Sequence, residues 1–334
     1  MKNVYDIPTG HIFVDDYSLG ELETLSIGDY GKERNVKADF LGLTNEINSV
    51  PNGHIKPLSE KWVITLSTQF GCPMKCTFCD VPKVGYKGNA SLLDLKNQFL
   101  NGIKLYPQVK YTERLNIHFA RMGEPVFNSV NVFDFVEWLF ISKHLLRDCY
   151  DLSIETIHPV FTTMCPDINN TGSAIKYWVT TIKNLIYNGQ AGLQLSINST
   201  DEKQRNEMFQ NKQKGLKEIS EICDSLPKPI GRKYCLNFAL ADEYETDGQE
   251  LAKMFDPDKF MVKITPIHNN SACQENGIVT SDGYHSYTPY KEAEQSFRDA
   301  GFDVLVFVPS MDEEKGLITC GNAVLSGEEP TNTL

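Results

Sequence analysis

Residues 61–80, KWVITLSTQFGCPMKCTFCD, decide the fold prediction for this chain. The first seven residues, KWVITLS, are a β-branched and aromatic run of the kind that forms a strand. The residues that follow place Cys72, Cys76 and Cys79 on a loop with the spacing C-x3-C-x2-C. In a (β/α) barrel the carboxyl ends of the strands carry the active site, so we expect the chemistry of this protein on that loop.

The alternation that begins at residue 61 continues along the chain. Alternating β and α units predict parallel strands with covering helices, and six or so units favour a partial or full (β/α) barrel. Periodicity alone does not separate this α/β fold from its alternative, a doubly wound open sheet. Further strands are predicted at residues 114–119, 153–161, 193–197, 234–240, 261–266 and 303–308. Helices are predicted at residues 92–105, 130–146, 173–187, 215–225 and 289–300.

Residues 1–60 do not follow this alternation, because Gly, Asp, Asn and Pro interrupt them often. We predict a small β-rich or mixed N-terminal extension at residues 1–60 and the barrel at residues 61–325. Residues 326–334 are predicted to form a flexible tail.

Composition and charge bound the classes of function. The 334 residues are 41% hydrophobic and 23% charged, as in ordinary globular proteins. No stretch reaches the roughly 20 apolar residues that cross a bilayer, and residues 1–6 lack the layout of a signal peptide, so we expect a cytoplasmic protein without membrane contact. The net charge of −12 weighs against a nucleic-acid partner, although residues 212–233 contain a basic stretch.

The cysteines indicate a metal site rather than a disulfide framework. Three of the nine cysteines fall within eight residues, and the others are scattered. Thiolates are the usual ligands of iron–sulfur clusters, and three of them on one loop can hold three irons of a cubane while the fourth iron stays open. The alternative is a zinc site in a non-catalytic interaction protein. Zinc normally takes four protein ligands, and no second C-x2-C occurs in the chain.

The cysteine loop resembles the signature of the radical-SAM superfamily, in which an aromatic residue, here Phe78, precedes the last cysteine. This resemblance implies a [4Fe–4S] cluster on Cys72, Cys76 and Cys79 and a bound S-adenosylmethionine (SAM). The cluster passes one electron to SAM, and a 5′-deoxyadenosyl radical results. An electron donor of the flavodoxin or ferredoxin type is therefore expected as a partner.

Other predicted strand ends supply candidate contacts to SAM. Gly123 and Glu124 follow the second strand and resemble the superfamily's Gly-Gly-Glu motif, in which the glutamate accepts from the SAM ammonium. The same residues could instead begin a helix, with Pro125 in its first turn. Each of the further candidates could also be a helix cap or a satisfied loop residue. They are Thr163, Ser196, Asn198 and Asn269.

Four segments in order resemble the RlmN/Cfr-type radical-SAM methylases, which methylate adenine in RNA. Residues 67–72, STQFGC, resemble S-[ST]-Q-x-G-C, and residues 122–128, MGEPVFN, resemble M-G-E-P-x-x-N. Residues 195–205, LSINSTDEKQR, resemble L-S-[LI]-H-A-x-x-[DE]-x-x-R, with Asn198 at the histidine position. Residues 319–322, TCGN, resemble A-C-G-Q. The resemblance covers roughly residues 61–327.

This resemblance implies that Cys320 is a methyl carrier, because the family's cysteine at that position is methylated by one SAM before a second SAM yields the radical. We therefore predict methyl transfer to an sp² carbon of a nucleotide or RNA base. The family's second cysteine, which resolves the covalent adduct, is Thr65 here, so Cys165 or Cys273 must act in its place or the reaction ends differently. The alternative is direct radical chemistry on a small molecule or peptide.

Overall fold

The computed structural model describes residues 1–29, 56–280, 290–309, 313, 315–319 and 321–331. Their main feature is a ten-stranded sheet in the order β1-β2-β3-β4-β7-β8-β9-β10-β11-β12, beside a small pair of β5 and β6. The strands are β1 (Asn3–Ile7), β2 (Gly10–Tyr17), β3 (Gly20–Ile27), β4 (Lys61–Thr65), β5 (Gln69–Phe70), β6 (Gly88–Asn89), β7 (Tyr111–His118), β8 (Ser153–Thr163), β9 (Gly192–Ser196), β10 (Tyr234–Leu240), β11 (Phe260–Pro266) and β12 (Asp303–Val306).

The strand order decides between the two folds that the sequence allowed. From β4 onward each strand pairs in parallel with the next large strand along the chain. A doubly wound sheet reverses its order at a switch point, and this sheet does not. Within the described residues β1 and β12 are the outer strands and do not pair with each other. The prediction of an α/β fold of the partial (β/α) barrel kind is confirmed.

Helices connect the parallel strands. In the described part of the chain they are α1 (Leu92–Lys104), α2 (Ser129–Ile141), α3 (Lys143–Tyr150), α4 (Thr171–Tyr177), α5 (Glu202–Met208), α6 (Leu216–Asp224), α7 (Gly248–Met254), α8 (Ser271–Glu275) and α9 (Lys291–Asp299). The start of α1 shows why these boundaries occur: Ser91 Oγ accepts from the Asp94 N–H (3.1 Å), and Asp94 Oδ2 accepts from the Ser91 N–H (2.8 Å).

Two predicted helices differ from the observed ones. The helix predicted at residues 130–146 is divided at Ser142 into α2 and α3. The helix predicted at residues 173–187 begins as α4 and continues over Trp178–Ile186 with π-helical hydrogen bonding. Inside this stretch the buried Lys183 ammonium donates to the carbonyls of Gly189 (2.9 Å) and Ile230 (2.6 Å).

The two faces of the parallel sheet differ in chemistry. One face is apolar and packs under the helices, as shown by the fully buried Trp62, Ile64 and Ile117. Because side chains alternate along a strand, the residues between them project from the opposite, inner face. That face carries polar and basic residues, among them Lys61, Arg114, Asn116, His118, His158, Gln194, Asn237 and Lys263.

The described part of the N-terminal extension continues the barrel sheet. Strand β3 pairs antiparallel with β4, and Trp62 Nε1 donates to Ser26 Oγ (2.9 Å). Thr24 Oγ1 also donates to Gln98 Oε1 on α1 (3.0 Å). The division of the chain at residue 60 and the flexible tail stay predictions. Among the described residues no helix is long and apolar enough to cross a membrane.

Candidate active site

The cysteine loop begins with a tight turn after β5. Gly71 has φ = +75°, and a Cβ atom there would collide with the carbonyl oxygen of Gly85, so only glycine fits. Cys72, Cys76 and Cys79 are partly exposed. The Thr77 N–H donates to the Met208 carbonyl oxygen (2.9 Å), which ties the loop to the end of α5. The structure thus brings the three predicted ligands together on one braced loop.

Soft, apolar side chains surround these thiols. Met74, Met164, Met208 and Phe209 form a buried cluster against which Cys72, Cys76 and Phe78 pack. Cys76 Sγ lies 3.9 Å from Met164 Sδ. In the described residues no three His, Cys, Asp or Glu side chains converge on a single metal ion; the thiolates of a cubane, however, bind different irons. Three cysteines on one loop beside an apolar cluster fit a [4Fe–4S] cluster.

The segments after β4 and β7 interlock through hydrogen bonds. The Thr68 N–H donates to the Met122 carbonyl oxygen (2.7 Å), and the Glu124 N–H donates to Gln69 Oε1 (2.8 Å). Asn128 Nδ2 donates to the Thr68 carbonyl oxygen (2.7 Å). Gly123 lies at this crossing with φ = +97°, and an added Cβ would lie 2.6 Å from Gln69 Cβ. The residues of the first two family-like segments therefore contact one another.

Glu124 has two structural roles. Its Oε1 accepts from the Val126 N–H (3.0 Å) and caps the short helix that begins with Pro125, so the helix-start interpretation of this segment is correct. Its Oε2 accepts from the Met164 N–H (3.0 Å) after β8. Burial raises the pKa of this carboxyl to about 7, although hydrogen bonds from Thr163 and the backbone oppose the shift. Three donors therefore occupy three of the roughly four acceptor positions of the carboxylate, and one position remains for an ammonium.

The remaining candidate SAM contacts lie at or after the carboxyl ends of other strands, and they differ in burial and hydrogen bonding. Ser196 lies at the end of β9 and is partly exposed, and Asn269 after β11 is exposed. Thr163 is buried, and its Oγ1 accepts from the Cys165 N–H (2.9 Å). Asn198 is buried with φ = +63°, and its Oδ1 accepts from the Ala239 N–H (3.0 Å). Their roles as SAM contacts stay predictions.

The C-terminal segment docks on the cysteine loop. The Asp80 N–H donates to the Gly321 carbonyl oxygen (2.8 Å). Asn270 Nδ2 donates to the carbonyl oxygens of both Phe78 (3.0 Å) and Gly321 (3.2 Å). Cys320 lies outside the described residues, but its neighbour Gly321 is hydrogen-bonded to the residue that follows Cys79.

The two spare thiols differ in their surroundings. Burial, and to a smaller extent the nearby Glu124 carboxylate, raise the pKa of Cys165 to about 12. Cys273 is also buried, and its Sγ lies 3.8 Å from the Phe78 carbonyl oxygen on the cysteine loop. Thr65 is the last residue of β4 and pairs with His118. Cys273 therefore contacts the cysteine loop at Phe78, close to where Asn270 binds Gly321. Cys165, in contrast, is held in its neutral form.

Asp80 and Asn270 were not predicted from the sequence. Asp80 is fully buried, and its Oδ1 accepts from Ser271 Oγ (2.8 Å) and the Ala272 N–H (2.8 Å) at the start of α8. Asn270 caps the same helix by accepting from the Cys273 N–H (3.0 Å). The sequence signal for Asp80 was an acidic residue directly after the last cysteine, and Asn270 carried an ordinary cap signal.

Comparison with solved structures defines the class of fold. A radical SAM methyltransferase from Sphaerobacter thermophilus is similar with a TM-score of 0.65 and 16% identity, covering 96% of this chain and 79% of that one. At this identity the similarity concerns the fold. No family model matches the chain.

Similarity to curated proteins shows more closely which proteins the chain resembles. The chain is 27% identical over 218 residues to the probable dual-specificity RNA methyltransferase RlmN of Aquifex aeolicus (strain VF5). This alignment covers 63% of the chain and 56% of the relative. The chain is 27% identical over 221 residues to RlmN of Desulfosudis oleivorans (strain DSM 6200 / JCM 39069 / Hxd3), covering 64% and 53%. It thus spans about half the length of these relatives. The chain therefore resembles the RlmN RNA methyltransferases in sequence and shares the fold of a radical SAM methyltransferase.

Proposed function

We propose that this chain is a radical-SAM methyltransferase that uses Cys320 to carry a methyl group to an sp² carbon of a nucleotide or RNA base. The observation that carries the proposal is the bond from the Asp80 N–H to the Gly321 carbonyl oxygen, 2.8 Å, which joins the segment of Cys320 to the cysteine loop. A carrier thiol has to lie where the cofactors react, and this bond supports that position for it.

The cofactor ligands follow from the site. Cys72, Cys76 and Cys79 would hold a [4Fe–4S] cluster, and Glu124 would accept from the ammonium of SAM beside the backbone of Gly123. When bound, the cluster and SAM supply a 5′-deoxyadenosyl radical, and a flavodoxin or ferredoxin would supply the electron. The other proposed SAM contacts are Phe78, Thr163, Ser196, Asn198 and Asn269.

The chain's own thiol carries the methyl group. The Cys320 thiolate attacks the methyl carbon of a first SAM, so that an S–CH₃ bond forms, the sulfonium C–S bond breaks and S-adenosylhomocysteine leaves. The methyl carbon on Cys320 then loses one hydrogen atom to the 5′-deoxyadenosyl radical that the cofactors would supply, and the resulting carbon radical bonds to the substrate carbon. The adduct must then give up one electron, which the cluster would accept, and the hydrogen on the substrate carbon leaves as a proton. This order requires Cys320 to be methylated before any product forms.

Release requires a second thiol, and the site favours Cys273. A thiolate can form a disulfide with Cys320 while the bond from Cys320 Sγ to the transferred carbon breaks and its electron pair stays with the product; a cellular thiol then reduces the disulfide. Cys165, with a pKa of about 12, is almost entirely protonated at neutral pH. Cys273 lies 3.8 Å from the Phe78 carbonyl oxygen, beside the docked segment.

The basic inner face supports an anionic substrate despite the net charge of −12. Lys61, Arg114 and Lys263 project from three strands of that face. Their charges lower the pKa of His118 to about 3, after burial as the larger cause, so this histidine is neutral at physiological pH. The excess of acidic residues in the whole chain therefore does not extend to the inner face of the sheet.

The decisive experiment is mass spectrometry of the protein isolated from cells. The peptide that contains Cys320 should carry one extra CH₂, and Cys320→Ala should lose both that mass and product formation. Cys149→Ala, which removes an exposed cysteine of α3, is the control and should change neither. Cys273→Ala should accumulate the covalent adduct, whereas Cys165→Ala should not.

The other functions predict different results. An unmodified Cys320 with full activity of Cys320→Ala would contradict methyl transfer and support direct radical chemistry on a small molecule or peptide. Anaerobic reconstitution should give about four irons per chain with matching sulfide. Zinc without iron or sulfide would instead support a non-catalytic zinc-binding protein.

A further inference from the structure

A buried ion pair joins the N-terminal hairpin, which consists of strands β1–β3, to the loop after β7. Arg121 Nη2 lies 3.1 Å from Glu23 Oε2, and the two side chains are 2% and 0% exposed. Glu23 belongs to β3, whereas Arg121 directly precedes the Met122–Glu124 segment of the candidate site. The pair therefore connects elements that are 98 residues apart in the chain.

Both members of the pair also hold the C-terminal segment. Arg121 Nη1 donates to the Leu317 carbonyl oxygen (2.6 Å), and the Val324 N–H donates to Glu23 Oε2 (2.9 Å). These two bonds flank residues 318–323, which include Cys320. The bond from the Asp80 N–H to the Gly321 carbonyl oxygen lies between them. The segment is thus held on both sides by the ion pair and at Gly321 by the cysteine loop.

The pair is a poor source of stability. Removing two charges from water is costly, and their attraction offsets that cost only when the remaining polar atoms are also bonded. Within the part of the chain that the structure describes, Glu23 Oε1 and Arg121 Nε have no hydrogen-bond partner. What the pair does supply is charge-assisted bonds of fixed direction to Leu317 and Val324.

We propose that Glu23 and Arg121 are positioning residues that place the Cys320 segment beside the cysteine loop. This inference rests on the proposed function, because it gives Cys320 a reason to be placed. A thiolate reacts with a methyl group only when the two are aligned, and a misplacement of about 1 Å can slow a reaction about 100-fold. The N-terminal hairpin would then act on the reaction without contacting any reacting atom.

The test is a double variant, Glu23→Leu with Arg121→Met, which removes both charges together and so leaves no unpaired buried ion. The control is Glu294→Leu with Arg298→Met, which removes the ion pair of α9, where the helix packs on α7 and β12. Both proteins are reconstituted with iron and sulfide, and their iron content and thermal unfolding are compared with the wild type.

Alkylation of unmethylated Cys320 by iodoacetamide is measured by peptide mass spectrometry in protein that was produced under iron limitation and has not met SAM after reconstitution, with Cys149 as an internal standard. In the Glu23→Leu/Arg121→Met protein, release of the segment should raise the Cys320 rate roughly tenfold or more, as local opening does. Methylation of Cys320 by SAM should slow about 100-fold. The iron content, and both rates in the α9 control, should stay at wild-type values. An unchanged Cys320 alkylation rate in a folded double variant would overturn the proposal.

A measurement on the wild type keeps the proposal testable if the double variant does not fold. The amide of Val324, which donates to the buried Glu23, should exchange with solvent much more slowly than the amides of Glu328 and Glu329. Equally fast exchange would overturn the proposal. If the segment is protected and opens in the variant, but Cys320 carries no methyl group in the wild type, the positioning stands and the proposed function fails.

Discussion

At the scale of single residues, Glu124 combines a structural and a chemical role. Burial raises its pKa from 4.5 to about 7 in the ligand-free protein, so the folded state binds a proton more tightly than the unfolded chain. Its contribution to stability is therefore lost as the pH rises between these two values. A carboxyl group that titrates near neutrality can ionise fully when a cation binds beside it, which is the property required to bind an ammonium.

We expect SAM affinity to depend on pH through Glu124. Because an ammonium favours the ionised carboxyl, the affinity should rise from about pH 6 to about pH 8 in the wild type and stay level in Glu124→Gln. At pH 8 the variant should bind SAM more weakly by roughly tenfold or more, because a charge-assisted hydrogen bond contributes about 1.5–3 kcal/mol. Calorimetric titration at several pH values measures both effects.

The control is Glu113→Gln, which removes an exposed carboxyl at the opposite end of β7. It should bind SAM like the wild type at each pH. If Glu124→Gln keeps both the affinity and its pH dependence, Glu124 does not contact SAM and has only a structural role.

At the scale of elements, the loops after β4 and β7 form one unit. The Gln69 N–H donates to the Met122 carbonyl oxygen (3.2 Å), and the Glu124 N–H donates to Gln69 Oε1 (2.8 Å). Gly123 permits the close approach of the two segments. The cysteine loop begins within this unit, because Gln69 and Phe70 form β5 immediately before Gly71. The geometry of the cysteines therefore depends on a glycine more than 40 residues away.

We expect Gly123→Ala to disturb the cysteine loop. The φ of +97° costs an alanine about 1–2 kcal/mol, and its Cβ would also lie 2.6 Å from Gln69 Cβ. Gly277→Ala is the matched control, because Gly277 has φ = +65° but nothing within 4 Å of an added Cβ. Denaturant unfolding should show a larger loss of stability in Gly123→Ala, with a lower iron content after reconstitution. Equal losses would show that the close approach to Gln69 is not required.

At the scale of the whole molecule, the N-terminal hairpin is part of the barrel. It pairs with β4, covers Trp62 and supplies Glu23 to the C-terminal segment. Its removal would expose the backbone groups of β4 at a new sheet edge, and such edges promote aggregation. The chain therefore should not fold as a barrel from residue 61 alone.

We expect deletion of residues 2–28 to abolish cooperative unfolding and yield aggregated protein. Deletion of residues 2–8, which removes only the outer strand β1, should leave a cooperative transition at a lower temperature. Calorimetry and size-exclusion chromatography separate these outcomes. A monomeric, cooperatively folding protein without residues 2–28 would show that the barrel is independent of the hairpin.

The sequence by itself determined those features that depend on neighbouring residues. The spacing of Cys72, Cys76 and Cys79, the strand before them and the alternation of β and α units are local patterns, and they predicted the fold class correctly. The sequence did not predict that a helix ends at Ser142 or that the hydrogen bonding becomes π-helical after Tyr177. A periodic apolar pattern does not indicate a change of hydrogen bonding within a helix.

Only the tertiary structure decided the strand order, and with it the barrel over the doubly wound sheet. It also brought Glu23, Arg121 and Val324 together and placed Gly321 against Asp80. These contacts join residues that lie about 100 to 300 positions apart, where no periodicity of the sequence extends. The type of each residue determines its charge and its hydrogen-bonding groups, but the path of the whole chain determines which partner binds them.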